Sequence, residues 1–294
     1  MKKVISWLLA VLLLITTVSG CAEVTAADYC TAAEALLFET ENVTLSALAE
    51  FELDGHVFKN VNGTYVQDGF NSMLDVHLVS VRDDGREVDS GYAVVVQDSD
   101  GWVAHHYAET PFVNISVYPD NTIMKRTIML DHILELVPLV AAQLGDVMTV
   151  EEDAEAGSLL QITLTEDNAP ALLDAALSLA YDYAIRRFFR VDYDAIRATG
   201  RDAGLDDFIT VTDGLVYCTR RLHVKELTAG IRMDSDGHIT GFDGKITVSV
   251  ELTNGEKHDL TVTAEGAARD YGASHVDLVE YGIGVQTEGD CPCD

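Results

Sequence analysis

Residues 246–262 read ITVSVELTNGEKHDLTV, and this stretch decides the fold. Ile246, Val248, Val250 and Leu252 alternate with Thr247, Ser249 and Glu251, and Leu260 and Val262 resume the apolar set beyond Asn254-Gly255. A period of two sends apolar side chains to one face of a strand and polar ones to the other. Asn-Gly supplies the positive φ of a tight hairpin turn. The stretch therefore reads as an antiparallel hairpin with one face turned to a core and one to water. Upstream, Leu227, Ala229, Ile231 and Met233 alternate with Thr228, Gly230 and Arg232, and Asp236-Gly237 marks the turn between the two runs.

Working toward the N-terminus, Asn62-Gly63, Asp84-Gly85 and Asp100-Gly101 are further turn dipeptides. They predict a meander through 43–53, 65–81 (interrupted at Asp68-Gly69), 92–96 and a segment around Trp102. Helices are expected at three places. A short one covers 26–38. A second carries Leu130, Ile133, Leu134, Val137, Val140, Ala141 and Leu144 at three- and four-residue steps, is kinked or broken at Pro138, and ends at Gly145. After a strand over 159–164, a third opens at Asp167-Asn168 with Pro170 tolerated in its first turn. Leu173, Leu177, Ala180, Ala184 and Phe188 line one side of it, widened by Leu172, Leu179 and Tyr183, so it needs cover over much of its circumference. The stretch 270–281 reads as an edge strand or an extended tail. The class is α+β: one long antiparallel sheet with two central helices over it.

The N-terminus carries a different signal. Lys2 and Lys3 precede an apolar run from Trp7 to Ile15, and Val18-Ser19-Gly20-Cys21 closes the segment. The run is shorter than the roughly 20 residues a membrane-spanning helix needs, and its layout is that of a secretory signal. It resembles the lipobox of bacterial lipoproteins, in which the cysteine thiol receives a diacylglyceryl group and the preceding peptide is removed. The resemblance implies a leader over 1–20, lipidation at Cys21, a tether over 21–25, one domain over 26–282 and a tail over 283–294. It also implies a location on the extracytoplasmic face of the cell membrane, held by lipid. Two or more acyl chains hold a protein stably where one holds marginally.

The order of elements in the body (helix, long meander, two central helices, closing meander) is similar to the LolA/LolB lipoprotein carriers and the LppX-type lipoproteins. That resemblance covers about residues 26–282 and rests on element order and the lipobox. It implies a strongly curved sheet forming an incomplete barrel, with helices over an apolar cavity for acyl chains.

Composition narrows the function classes. The chain has 294 residues, is 48% hydrophobic and has a formal net charge of -30. It can bury a real core, and disorder is not expected. The leader carries two lysines and no acid, so the mature chain is more acidic still. Such a surface repels nucleic-acid phosphates and does not adhere to an anionic leaflet by charge. Beyond Cys21, the remaining cysteines are Cys30, Cys218, Cys291 and Cys293. Export permits disulfides among them, and the pairing stays open.

No constellation for chemistry stands out. Asp98-Ser99-Asp100-Gly101 and Asp234-Ser235-Asp236-Gly237 resemble the start of a calcium loop, but Trp102 and Lys245 occupy ligand positions. Both read as hairpin turns. His105 and His106 point to opposite faces of a strand. There is no G-x-S-x-G elbow, Walker A loop or dinucleotide fingerprint, and Glu151-Glu152-Asp153 and 202–207 read as solvated acidic loops. Aromatic residues Tyr181, Tyr183, Phe188, Phe189 and Tyr193, with Arg186, Arg187 and Arg190 among them, cluster on and after the third helix. The expectation is a non-enzymatic, membrane-anchored lipoprotein with no cofactor and no metal, binding a lipid or apolar small molecule in a cavity lined by Leu173, Leu177, Tyr181 and Phe188. The alternative is an acidic envelope scaffold with a filled core.

Overall fold

The computed structural model describes residues 24–81, 87–98, 103–108, 147–153, 157–188 and 219–278. In chain order these form α1 (Ala26–Phe38), β1 (Asn42–Leu53), β2 (His56–Asp68), β3 (Asn71–Val81), β4 (Glu87–Gln97), β5 (Val103–Ala108), β6 (Met148–Asp153), β7 (Gly157–Thr165), α2 (Ala171–Phe188), β8 (Thr219–Met233), β9 (Ile239–Leu252) and β10 (Lys257–Arg269). Cys21, Cys218, Cys291, Cys293, the periodic stretch 130–144 and the acidic run 202–207 lie outside the described residues. Among the described residues, no helix is long and apolar enough to cross a membrane.

All ten strands join one antiparallel sheet in the order β5-β4-β3-β2-β1-β10-β9-β8-β7-β6. Two five-stranded meanders meet where β1 pairs with β10, with Leu45 opposite Ala268 and Leu53 opposite Leu260. Among the described residues the sheet is open, with β5 and β6 at its edges.

The apolar alternation seen in 246–262 extends across the sheet. Leu45, Tyr65, Leu74, Val95, Leu160, Leu227, Val250 and Leu260 belong to one buried cluster on what is here called the inner face. Their burial is the main stabilising term. Helix α1 begins with Asp28 accepting hydrogen bonds from the Thr25 N–H and hydroxyl, both 2.7 Å. Those bonds, chiefly the hydroxyl's, hold the Asp28 carboxyl below the usual range. The helix is tied to the sheet by the buried Tyr29 hydroxyl, 2.8 Å from Ser158 Oγ.

Three local expectations are corrected. Asn62-Gly63 is not a turn. Asn62 pairs with Leu48 and Gly63 with Ala47 inside β2, and the turn falls at Asp54-Gly55, where φ is 50° and 87°. Asp54 anchors that turn by accepting the Asp259 N–H at 2.8 Å and bonding His258 Nδ1 at 2.8 Å. Glu151, Glu152 and Asp153 are not a loop but the end of edge strand β6, paired with Leu159, Ser158 and Gly157. The exposed charges of Glu151 and Glu152 suit such an edge, because they discourage pairing with another chain. In α2, Leu173, Leu177 and Tyr181 are buried, whereas Leu179 is 47% exposed and does not widen the apolar stripe.

Among the described residues, one apolar cluster lies on the outer face. Val66, Val94 and Val96, with Met73 beside them, are covered by Val276 and Leu278 from the stretch after β10. That stretch is an extended tail and not a strand of the sheet. It is pinned where Asp68 accepts the Val276 N–H at 3.1 Å and meets His275 Nδ1 at 2.9 Å.

Candidate functional site

Inward side chains change character along the strands. In β1, Val43, Leu45, Ala47 and Ala49 are buried, whereas Phe51 and Leu53 are partly exposed. Phe58, Val61 and Ile246 around that end are also only partly buried. A single row of paired inner positions crosses the sheet here: Leu164, Leu227, Ile246, Val262, Phe51 and Lys59. The four strand spacings from β8 to β2 make Leu227 and Lys59 roughly 19 Å apart along the sheet.

Helix α2 closes the β8 end of this row. Strand β7 pairs with β8 only from Glu226 onward, which leaves the N–H groups of Leu222 and Val224 on the open side of β8. A buried amide needs a partner. Asp174 Oδ1 accepts the Val224 N–H at 2.8 Å and Ser178 Oγ accepts the Leu222 N–H at 3.3 Å. Asp174 and Ser178 are four residues apart, on one helical face, so the helix takes over where the strand stops. Asp174 Oδ2 also lies 2.6 Å from His223 Nδ1, with Glu166 3.5 Å from Nε2. The hydrogen bond to Asp174, followed by the negative charge of Asp174 and Glu166, raises the His223 pKa.

Lys59 occupies the β2 end. It is the one Lys or Arg at a paired inner position in the described strands. A β-bulge at Phe58 lies beside it, between the Phe51–Lys59 and Glu52–Val57 pairs. The Phe58 and Phe51 rings meet at 6.3 Å between centroids. Part of the side chain reaches solvent, yet burial of the ammonium pushes its pKa down to about 8.

At the opposite end of the inner face, Gln67, Ser72 and Gln97 pair in one row and are all buried. The Gln67 amide is engaged by the Tyr65 hydroxyl and the Gly69 carbonyl. Among the described residues, neither Oε1 nor Nε2 of Gln97 has a hydrogen-bond partner.

Of the expected cavity residues, Leu173, Leu177 and Tyr181 come together within the buried cluster. Phe188 ends α2, and its side chain lies outside the described residues. His105 and His106 sit at successive positions of β5, opposite Val95 and Val94. The loop at Asp234 is a hairpin turn, with Asp234 Oδ1 accepting the N–H groups of Asp236 and His238. It brings ligand-type atoms of Asp234, Asp236 and His238 within 4.8 Å of one another, and the His238 ring stacks on Tyr271 at 4.4 Å. Lys59, Gln97 and the Asp174–His223 pair were not singled out from sequence. Reading a turn at Asn62-Gly63 cut β2 in two and hid the inward position of Lys59.

No family model matches the chain, and no curated protein matches it. Among solved structures, a LolA superfamily protein from Nitrosomonas europaea aligns over 84% of this chain and 95% of its own, at 8% identity and a TM-score of 0.20. An N-terminal dehydratase from the difficidin assembly line aligns over 86% and 84%, at 10% identity and a TM-score of 0.12. Likenesses this low carry no argument about fold or activity.

Proposed function

We propose that this protein is a membrane-anchored, non-enzymatic lipoprotein that holds an apolar, lipid-like ligand against the inner face of its sheet. The observation that supports it is the partly exposed inner-face patch of Phe51, Leu53, Phe58, Val61 and Ile246. Full burial of an exposed side chain of that size is worth about 1.5–3 kcal/mol, and a ligand covering the part still exposed gains a fraction of that by the same effect that folds the sheet. Leu173, Leu177 and Tyr181 of α2 form the opposite wall in this reading, with Phe188 expected to extend it, and the sheet curves around the ligand as an incomplete barrel. Lipidation at Cys21 holds the domain at the extracytoplasmic surface. Metabolic labelling with palmitate that is lost in Cys21→Ser tests the anchor.

Photolabelling tests the ligand. Cells producing the full chain are fed a diazirine-bearing fatty acid and irradiated, and the protein is mapped peptide by peptide. Label on β1, β2, β9 or α2, apart from any at Cys21, supports the reading. Label confined to the N-terminus overturns it and favours an acidic envelope scaffold with a filled interior, a reading to which the close burial of Leu173 and Leu177 lends support.

A further inference from the structure

Helix α1 crosses the sheet, so its two ends lie over different strands. Its C-terminal end runs into β1, beside the β2–β3 turn, where the Gly69 N–H bonds the Glu41 carbonyl at 2.9 Å. Its N-terminal part lies toward the other edge: α1 packs against β9 and β6, and Tyr29 reaches Ser158 at the start of β7. Ser158 in turn pairs with Glu152 of edge strand β6. The exposed Val24 leads from this β6–β7 corner into the tether. Cys21 and Thr25 are four residues apart, a reach of at most about 14 Å. The partly exposed Phe51, Leu53 and Phe58 lie at the diagonally opposite end. Leu164, six residues along β7 from Ser158, starts the row that reaches Phe51. That places Phe51 about 20 Å from the corner along the strands and about 19 Å across them.

From this placement we infer that the protein meets the membrane by its β6–β7 corner and turns the Phe51–Phe58 end of its inner face away from the bilayer, toward the aqueous phase. This rests on the Cys21 anchor of the reading above and adds the surface that the anchor presents. A tether that short keeps the corner at the headgroups, and another face comes down beside it only if something draws it. Basic residues draw a face to headgroup phosphates, and an exposed apolar patch draws it into the interface. Among the described residues, Lys225, Arg232 and Lys245 are paired with Asp259, Asp243 and Glu226. The exposed large apolar side chains Val24, Leu48, Phe70 and Leu179 stand on separate elements and form no patch. The open end itself is rimmed by exposed carboxylates, Asp54 in the β1–β2 turn and Glu256 in the β9–β10 turn, which keep it in water. The ligand enters and leaves the inner face from the aqueous side, not from the leaflet that holds the anchor.

The test uses the full lipidated chain in nanodiscs whose headgroups carry an energy-transfer acceptor. A donor dye is attached through a bioorthogonal amino acid at Glu152 of β6 or at Lys257 at the start of β10, both exposed positions. The Lys257 donor should read about 30 Å farther from the headgroups than the Glu152 donor, close to the length of the strands between them. Equal distances, or Lys257 the nearer, overturn the inference and leave the anchor and the apolar-ligand reading intact. Cys21→Ser should abolish transfer at both positions. Transfer that persists in Cys21→Ser, or transfer from neither position in the unmodified chain, overturns the anchor and the inference with it. The photolabelling described above succeeds or fails independently of these distances.

Discussion

The ring of Phe242 lies over Gly266 on the neighbouring strand, in the space a side chain at Gly266 would take. A Cβ there would run into the Cζ and Cε1 atoms of the ring and the Ser46 carbonyl oxygen. Gly266 faces inward opposite Ala47, at the centre of the sheet where the two meanders join. The glycine costs strand propensity and is offset by an aromatic side chain packed across it. Gly266→Ala should therefore destabilise the protein by about 1–3 kcal/mol, the usual cost of overpacking. Chemical denaturation checks it. Phe242→Leu in the same chain should recover part of the loss, because the shorter side chain makes room.

The Asp174–His223 pair predicts a pH dependence. His223 has its folded pKa raised above 6.5, first by its hydrogen bond to Asp174. A raised folded pKa means that the pair's contribution is complete below the unfolded value, about pH 6.5, and fades as pH rises through the folded value. His223 is 41% exposed, so screening limits the effect to at most about 1 kcal/mol. The urea midpoint of the unmodified protein, measured on either side of neutrality, should fall toward alkaline pH by more than that of His223→Gln. Equal pH profiles would remove the pair from the account.

Both sites show why sequence reading reached some elements and missed others. Strands β8, β9 and β10 were legible because Leu227 to Met233 and Ile246 to Leu252 put an apolar residue at nearly every inward position. Strand β2 hid itself: its inward positions include Lys59, Gly63 and Gln67, which interrupt the apolar alternation, and the bulge at Phe58 puts residues 56–57 out of phase with them. Helix α1 has the expected bounds 26–38, and Thr25 and Asp28 cap its start, a local signal that the sequence reading did not use. The docking of α2 onto β8 depends on where β7 stops pairing, a long-range fact that no local pattern carries. The Asp234–Asp236–His238 grouping likewise needs the hairpin to close before the three side chains meet.

Gln97 is 1% exposed, and among the described residues its amide makes no hydrogen bond. Leaving a buried donor and acceptor unmet costs about 1–3 kcal/mol, whereas an apolar side chain of similar shape carries no such cost. Gln97→Leu should therefore raise the unfolding free energy by about that amount. The variant becoming less stable would show instead that the amide is engaged in the folded protein.

Val276 closes the apolar part of the outer face. It is 3% exposed and packs with Val66, Val94 and Val96, and its N–H is held by Asp68. Removing its two methyl groups leaves a cavity over three valines that cannot move without disturbing β2 and β4. Val276→Ala should cost about 1.5–2.5 kcal/mol. Asp68→Ala should cost about 1–3 kcal/mol by freeing the Val276 N–H. The two residues hold the same tail, so their effects should be less than additive. Denaturant midpoints of both single variants and the double variant measure the coupling, and strict additivity would show that the tail is held by other contacts.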